Sequence, residues 1–126
     1  MMRAVVAALM LSVPVLCWAG DAPRLGQEAL LEKMSVADQV VLLDVRTPKE
    51  YSEGFIPGAI NIPHDELEAR IAELDGARGK EIVVYCRSGR RSDIALDLLQ
   101  KAGFEKVYHL EGDYLGWTEA KRPVGK

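Results

Sequence analysis

The chain has 126 residues, 48% of them apolar and 28% charged, which suffices for one hydrophobic core and not for two domains. A formal charge of −3 excludes a global pull toward nucleic acid or anionic lipid, so any positive field must be local. With only 6% aromatic residues, the core has to rest mainly on Leu, Val, Ile and Ala.

Arg3 precedes an apolar stretch from Ala4 to Leu16, interrupted by Ser12 and Pro14, and Cys17-Trp18-Ala19 places small residues at the last and third-last positions before a cut. The stretch is shorter than the ~20 residues a membrane-spanning helix needs. It reads as a cleavable export signal over 1–19, followed by a single domain over 20–126 in a periplasmic or secreted location. Cleavage would remove Cys17 and leave Cys86 as the only thiol, so no internal disulfide is possible despite the oxidising compartment.

Residues 26–37 carry Leu30, Leu31 and Met34 at helical spacing. VVLLDV (40–45) is a continuous apolar run of the kind buried on both faces of a parallel sheet. Thr47-Pro48-Lys49-Glu50 matches a capping box with proline at the first helical position, and Gly54 ends the short helix that follows. IPGAINIP (56–63) predicts a turn, a short strand and a second turn. HDELEARIAEL (64–74), with Leu67, Ile71 and Leu74 on one stripe, predicts an α-helix. EIVVYC (81–86) is a second buried strand, and 92–103 a helix with Ile94, Ala95, Leu98 and Leu99 inward and Gly103 as its cap. KVYHL (106–110) is a strand, and 113–121 a short helix carrying Trp117 into the core. Alternation of strands and helices predicts an α/β sandwich of three layers, with a mainly parallel sheet covered on both faces. Sites in such sheets form beyond the carboxyl ends of the strands, where Cys86 and Asp44-Val45-Arg46 stand.

The segment Cys86-Arg87-Ser88-Gly89-Arg90-Arg91 joins one strand end to a helix start. Unpaired amides at a helix start attract anions, and a glycine lets the loop curl so that several amides aim at one point. Three arginines within the next five residues are poor company for a core cysteine and favour a reactive thiolate. Asp93 opposes that charge unless it points outward. Ser88 and Ser92 suit loop-fixing hydroxyls, and Asp44 suits a residue that fixes the loop after its strand. His64 and His109 have no partner at metal-ligand spacing, so no metal site is expected.

LLDVRTPKEYSEGFIPGAINIP (42–63), VVYCRSGRRS (83–92) and LEGDYLGWTEAKRPV (110–124) together resemble the single-domain rhodanese sulfurtransferases, above all their small exported members. The resemblance runs from about residue 26 to 122. It implies that Cys86 takes sulfane sulfur from thiosulfate or a similar donor as a persulfide and passes it to cyanide or a thiol, with no cofactor. It further implies that the amides of Arg87, Ser88, Gly89, Arg90 and Arg91 hold the persulfide, and that the side chains of Arg87, Arg90 and Arg91 draw in the anionic donor. Arg46, by its match to the family's Asp-x-Arg segment, either reaches this pocket or pairs with an acid such as Glu50. Two positions depart from the family pattern: Phe55 stands where histidine is frequent, and Asp113 where a second glycine is common. A persulfide carrier serving a partner protein is the main alternative. An arsenate reductase or phosphatase fits less well, because its loop carries arginine six positions after the cysteine, where this chain has Ser92. No nucleic acid, membrane span or obligate assembly is expected, and the chain should act as a monomer.

Overall fold

Two apolar runs form the centre of a five-stranded parallel sheet. In chain order the elements are β1 (Arg24–Leu25), α1 (Gln27–Met34), β2 (Val40–Asp44), α2 (Pro48–Glu53), β3 (Ile60–Asn61), a 3₁₀ helix (Ile71–Ala77), β4 (Glu81–Tyr85), α3 (Arg90–Lys101), β5 (Val107–Leu110) and α4 (Asp113–Glu119). The strands lie in the order β1-β5-β4-β2-β3, all paired in parallel. The computed structural model describes residues 22–126, so the expected export signal over 1–19 lies outside the described residues. Among the described residues, no helix is long and apolar enough to cross a membrane.

Side chains alternate across the sheet and build two cores, as the three-layer reading requires. Leu43, Val45, Ile82, Val84 and Val107 face α3 and the 3₁₀ helix, packing on Ala95, Leu96, Leu99, Leu74 and Ala77. Leu42, Val83, Tyr85 and Leu110 face the other way, onto Leu30 of α1, Trp117 of α4 and the partly buried Tyr51 of α2. Local chemistry sets several element ends. Thr47 Oγ1 accepts the Glu50 N–H while the Glu50 carboxylate accepts the Thr47 N–H, the reciprocal capping box. Gly103, at φ +94, lets the Phe104 N–H reach back to the Leu99 carbonyl and its own N–H to Gln100, a Schellman closure of α3.

The structure departs from the sequence reading at four points. The predicted α-helix over 64–74 is instead a run of turns followed by the 3₁₀ helix Ile71–Ala77. Its inward residues Ile71, Leu74 and Ala77 repeat every three positions, the period at which 3₁₀ side chains eclipse, and that period masquerades as helical over so short a span. Ile94 is 46% exposed rather than inward. The buried stripe of α3 runs through Ser92, Ala95, Leu96 and Leu99, and two residues from Ser92 or Leu96 is about half a turn away. That helix also begins at Arg90, two residues earlier than predicted. Finally, β1 has no counterpart in the sequence reading; two residues carry no periodicity, and pairing with β5 alone defines the strand.

Candidate active site

The carboxyl ends of β2 and β4 lie side by side, Asp44 opposite Tyr85, and deliver two loops to one place. The β4 loop starts at Cys86, which is 1% exposed, and runs directly into α3. Its backbone is shaped from below by α4. The first N–H groups of a helix have no partner within it. Here Tyr114 N–H donates to the Cys86 carbonyl at 2.9 Å and Leu115 N–H to the Arg87 carbonyl at 3.1 Å. A trans peptide sets its C=O and the following N–H on opposite sides. Carbonyls drawn toward α4 therefore turn the N–H groups of Arg87 and Ser88 away from it. Gly89 completes the curl at φ +127, a backbone region that favours glycine, and its N–H donates to Cys86 Sγ at 3.0 Å.

The expected site residues separate into two groups. Arg87, Ser88 and Arg90 are exposed around the loop, whereas Gly89 is buried. Arg91 and Arg46 are both committed to carboxylates. Arg91 makes a two-pronged pair with Glu50 of α2, at 2.6 and 3.0 Å, with both side chains about a quarter exposed. Arg46 is 3% exposed and donates from Nε and Nη2 to Asp44, with a further bond from Nη2 to the Gly54 carbonyl. The suggested Arg46–Glu50 pair is thus corrected, because Glu50 is held by Arg91 and Arg46 by its own strand's last residue. Arg46 stacks 4.0 Å from the Tyr114 ring centroid and, with Arg87, lines a cleft of about 220 Å³ beside the loop. Asp44 Oδ1 also accepts the Arg46 N–H at 2.9 Å, fixing the turn after β2.

Arg91's hydrogen bonds are the chief cause holding the Glu50 carboxyl down at about 2 from an ordinary 4.5, against the burial that would raise it. A carboxyl depressed in the folded state contributes stability above its unfolded value and loses it as the pH falls toward the folded one. We expect this contribution, about 1–2 kcal/mol after allowance for partial exposure, to disappear between pH 4.5 and about 2. Melting temperatures recorded over that interval should fall less steeply for Glu50→Gln than for the parent. Parallel curves would remove the pair from the stability of the fold.

Sequence reasoning missed the group beneath the loop. Asp113, 2% exposed, accepts the Cys86 N–H at 3.0 Å and the Ser92 hydroxyl at 2.9 Å. His109 of β5, 3% exposed, brings Nε2 within 3.0 and 2.9 Å of the two Asp113 oxygens. Burial alone would raise the Asp113 carboxyl, but the bonds from His109, Cys86 and Ser92 outweigh it and hold the group below the usual range. It is therefore ionised and acceptor-only, so the ring donates from Nε2. The exposed Asp93 carboxylate lies 3.4 Å from the other ring nitrogen. One signal was present in the sequence: a carboxylate directly after Gly112, where the family commonly has glycine.

A buried cysteine sulfur at the mouth of a curled, arginine-rimmed amide loop is suited to nucleophilic work on an anion. Comparisons with known proteins identify the family. Residues 27–120 match the rhodanese-like domain. A sulfurtransferase of Allochromatium vinosum is 32% identical over 101 residues, covering 80% of this chain and 92% of that protein. The putative sulfur carrier protein YrkF of Bacillus subtilis is 37% identical over 100 residues, covering 79% of this chain and 53% of its own. Among solved structures, thiosulfate sulfurtransferase from Pseudomonas aeruginosa superposes with a TM-score of 0.74 at 32% identity, over 82% of this chain and 20% of that one. With three motifs in order, a parallel α/β sheet and a cysteine loop at its carboxyl edge, the chain belongs to the rhodanese-like family of sulfurtransferases and sulfur carriers.

Proposed function

We propose that the protein is a thiosulfate sulfurtransferase working through a Cys86 persulfide. The observation that carries this reading is the Gly89 N–H held 3.0 Å from Cys86 Sγ in a loop of one strand-to-helix turn. Such a donor stabilises negative charge on sulfur. The Cys86 thiolate attacks the outer sulfur of thiosulfate; a sulfur–sulfur bond forms to Cys86 as the donor's own breaks, and sulfite leaves with the bonding electron pair. The carbon of cyanide, or an acceptor thiolate, then attacks the outer sulfur of the persulfide. Thiocyanate or a new persulfide departs, and the Cys86 thiolate is regenerated. Neither half needs an external oxidant or reductant.

Charge around the loop fits this cycle. Arg87 and Arg90 are exposed and serve to draw in the dianionic donor and steady the leaving sulfite. Arg91 and Arg46, already neutralised by Glu50 and Asp44, shape the wall rather than add net charge. Ser92 stands where oxyanion enzymes with a related loop place arginine, and its hydroxyl is turned down onto Asp113, which favours a single sulfur over a tetrahedral oxyanion.

Intact-mass analysis after thiosulfate alone, followed by thiocyanate release on adding cyanide, tests the reading. One added sulfur that cyanide removes is the expected result. A stable added sulfur that only a partner protein can remove would reassign the chain as a carrier. No added sulfur from thiosulfate would overturn the donor assignment. A periplasmic or secreted location for the domain belongs to the same proposal and is checked by N-terminal sequencing of the product from fractionated cells.

A further inference from the structure

Asp113 bonds the active-site loop at two places and lies close beneath a third. Oδ1 accepts the backbone N–H of Cys86, where the loop begins, and the hydroxyl of Ser92, where it has become helix. Oδ2 lies 3.2 Å from the position a Cβ would take on Gly89, at the apex. His109 holds the same carboxylate from the β5 side. Asp113 itself sits at φ +52, following Gly112 at φ +81. Two successive left-handed residues are costly for anything but glycine, although aspartate tolerates the region better than most. That corner directs the side chain under the loop.

Placing a carboxylate there has an electrostatic drawback, since it works against any anion formed on Cys86. Its benefit must therefore lie in geometry. We propose that Asp113 is a positioning residue that ties both ends of the Cys86 loop and backs its apex, keeping the Gly89 N–H on the sulfur. It acts through Cys86 and touches no substrate. This deepens the sulfur-transfer reading and rests on it for its purpose, but its test uses the thiol alone. The charged groups around this loop are its own Arg87 and Arg90, His109 of β5, Arg91 and Asp93 of α3, and the Asp44–Arg46 pair after β2. Ser92→Ala leaves all of them in place, whereas Asp113→Ala also frees the His109 ring.

Geometry and charge separate cleanly in two variants. Asp113→Asn keeps an oxygen for the Cys86 N–H and the Ser92 hydroxyl, tolerates the left-handed backbone and loses the charge. Asp113→Ala loses both charge and acceptor. Iodoacetamide alkylation of Cys86, followed by mass spectrometry across a pH series, reads the thiolate fraction. Asp113→Ala is expected to move the midpoint of that profile upward by about one pH unit, about tenfold slower alkylation at pH values well below the parent midpoint. Asp113→Asn should keep the parent midpoint or shift it downward. Ser92→Ala, which frees only the far end of the loop, should move it upward by less than Asp113→Ala does. Circular dichroism establishes which variants are folded. A folded Asp113→Ala protein with the parent midpoint, or Asp113→Asn moving upward as far as Asp113→Ala, overturns the proposal. If Asp113→Ala does not fold, Ser92→Ala decides, and an unshifted midpoint there overturns it equally. Alkylation needs no sulfur donor, so a chain that fails to take sulfur from thiosulfate can still pass this test, and the converse holds too.

Discussion

Replacing Cys86 by serine is expected to reduce sulfur transfer to background, on the scale of the roughly 10⁶-fold loss that follows deletion of a covalent nucleophile, and to abolish the mass gain from thiosulfate. Both effects follow from one atom. A serine hydroxyl fills nearly the same volume and still accepts the Gly89 N–H, so a site that is 1% exposed tolerates it. What it lacks is an accessible anion near neutral pH and a polarisable atom able to form a bond to sulfur. The variant therefore separates chemistry from folding, and its melting temperature should stay close to the parent's. Residual turnover well above background, or a sulfur adduct on the variant, would mean that Cys86 is not the acceptor of the first transfer.

The second large effect concerns stability. Asp44 and Arg46 form a pair that is almost fully buried, with Nη2 and Oδ2 2.6 Å apart and the arginine and aspartate side chains 4% and 0% exposed. Removing one member leaves the other charged and out of water, which costs about 3–5 kcal/mol in comparable pairs. A domain of this size has only about 5–15 kcal/mol of net stability. Asp44→Ala or Arg46→Ala should accordingly lower the melting temperature by more than about 10 °C. Replacing both together, Asp44→Leu with Arg46→Met, removes the desolvated charges as a unit and should recover a substantial part of that loss. If the double variant is no better than the worse single one, the Arg46 bond to the Gly54 carbonyl and its stacking on Tyr114 outweigh the ion pair. Urea unfolding of the four proteins measures the coupling directly.

Much of the architecture was legible because parallel strands buried on both faces read as unbroken apolar runs, as in 40–45 and 81–86, and because Thr47 and Gly103 announce helix ends chemically. The Cys86 loop was legible for a similar reason, since its residues are contiguous. Interactions across the chain were not. Glu50 and Arg91 are 41 positions apart, and Cys86 and Asp113 are 27 apart, so no local pattern announces either contact. Arg46 misled in the opposite sense. A helix acid four residues ahead was the visible candidate, whereas the pleat at the end of β2 returns the guanidinium to Asp44, two residues behind. The 64–74 segment failed because Leu67, Ile71 and Leu74 fit a period of 3.6, whereas Ile71 and Leu74 belong to a period of three that continues to Ala77.

The contacts from α4 to the loop have a consequence for how the protein is made. The Cys86 and Arg87 carbonyls are satisfied by Tyr114 and Leu115, and the Cys86 N–H by Asp113, all from the last helix of the chain. That helix is in turn secured by residues further on, through the Trp117 indole bond to the Pro123 carbonyl and the pairing of Gly125 with Phe55. During synthesis the sheet's central strands emerge well before these partners do. Until α4 has docked, these loop groups lack their partners. The geometry of the loop is thereby a late product of folding, set only once α4 has packed beneath it.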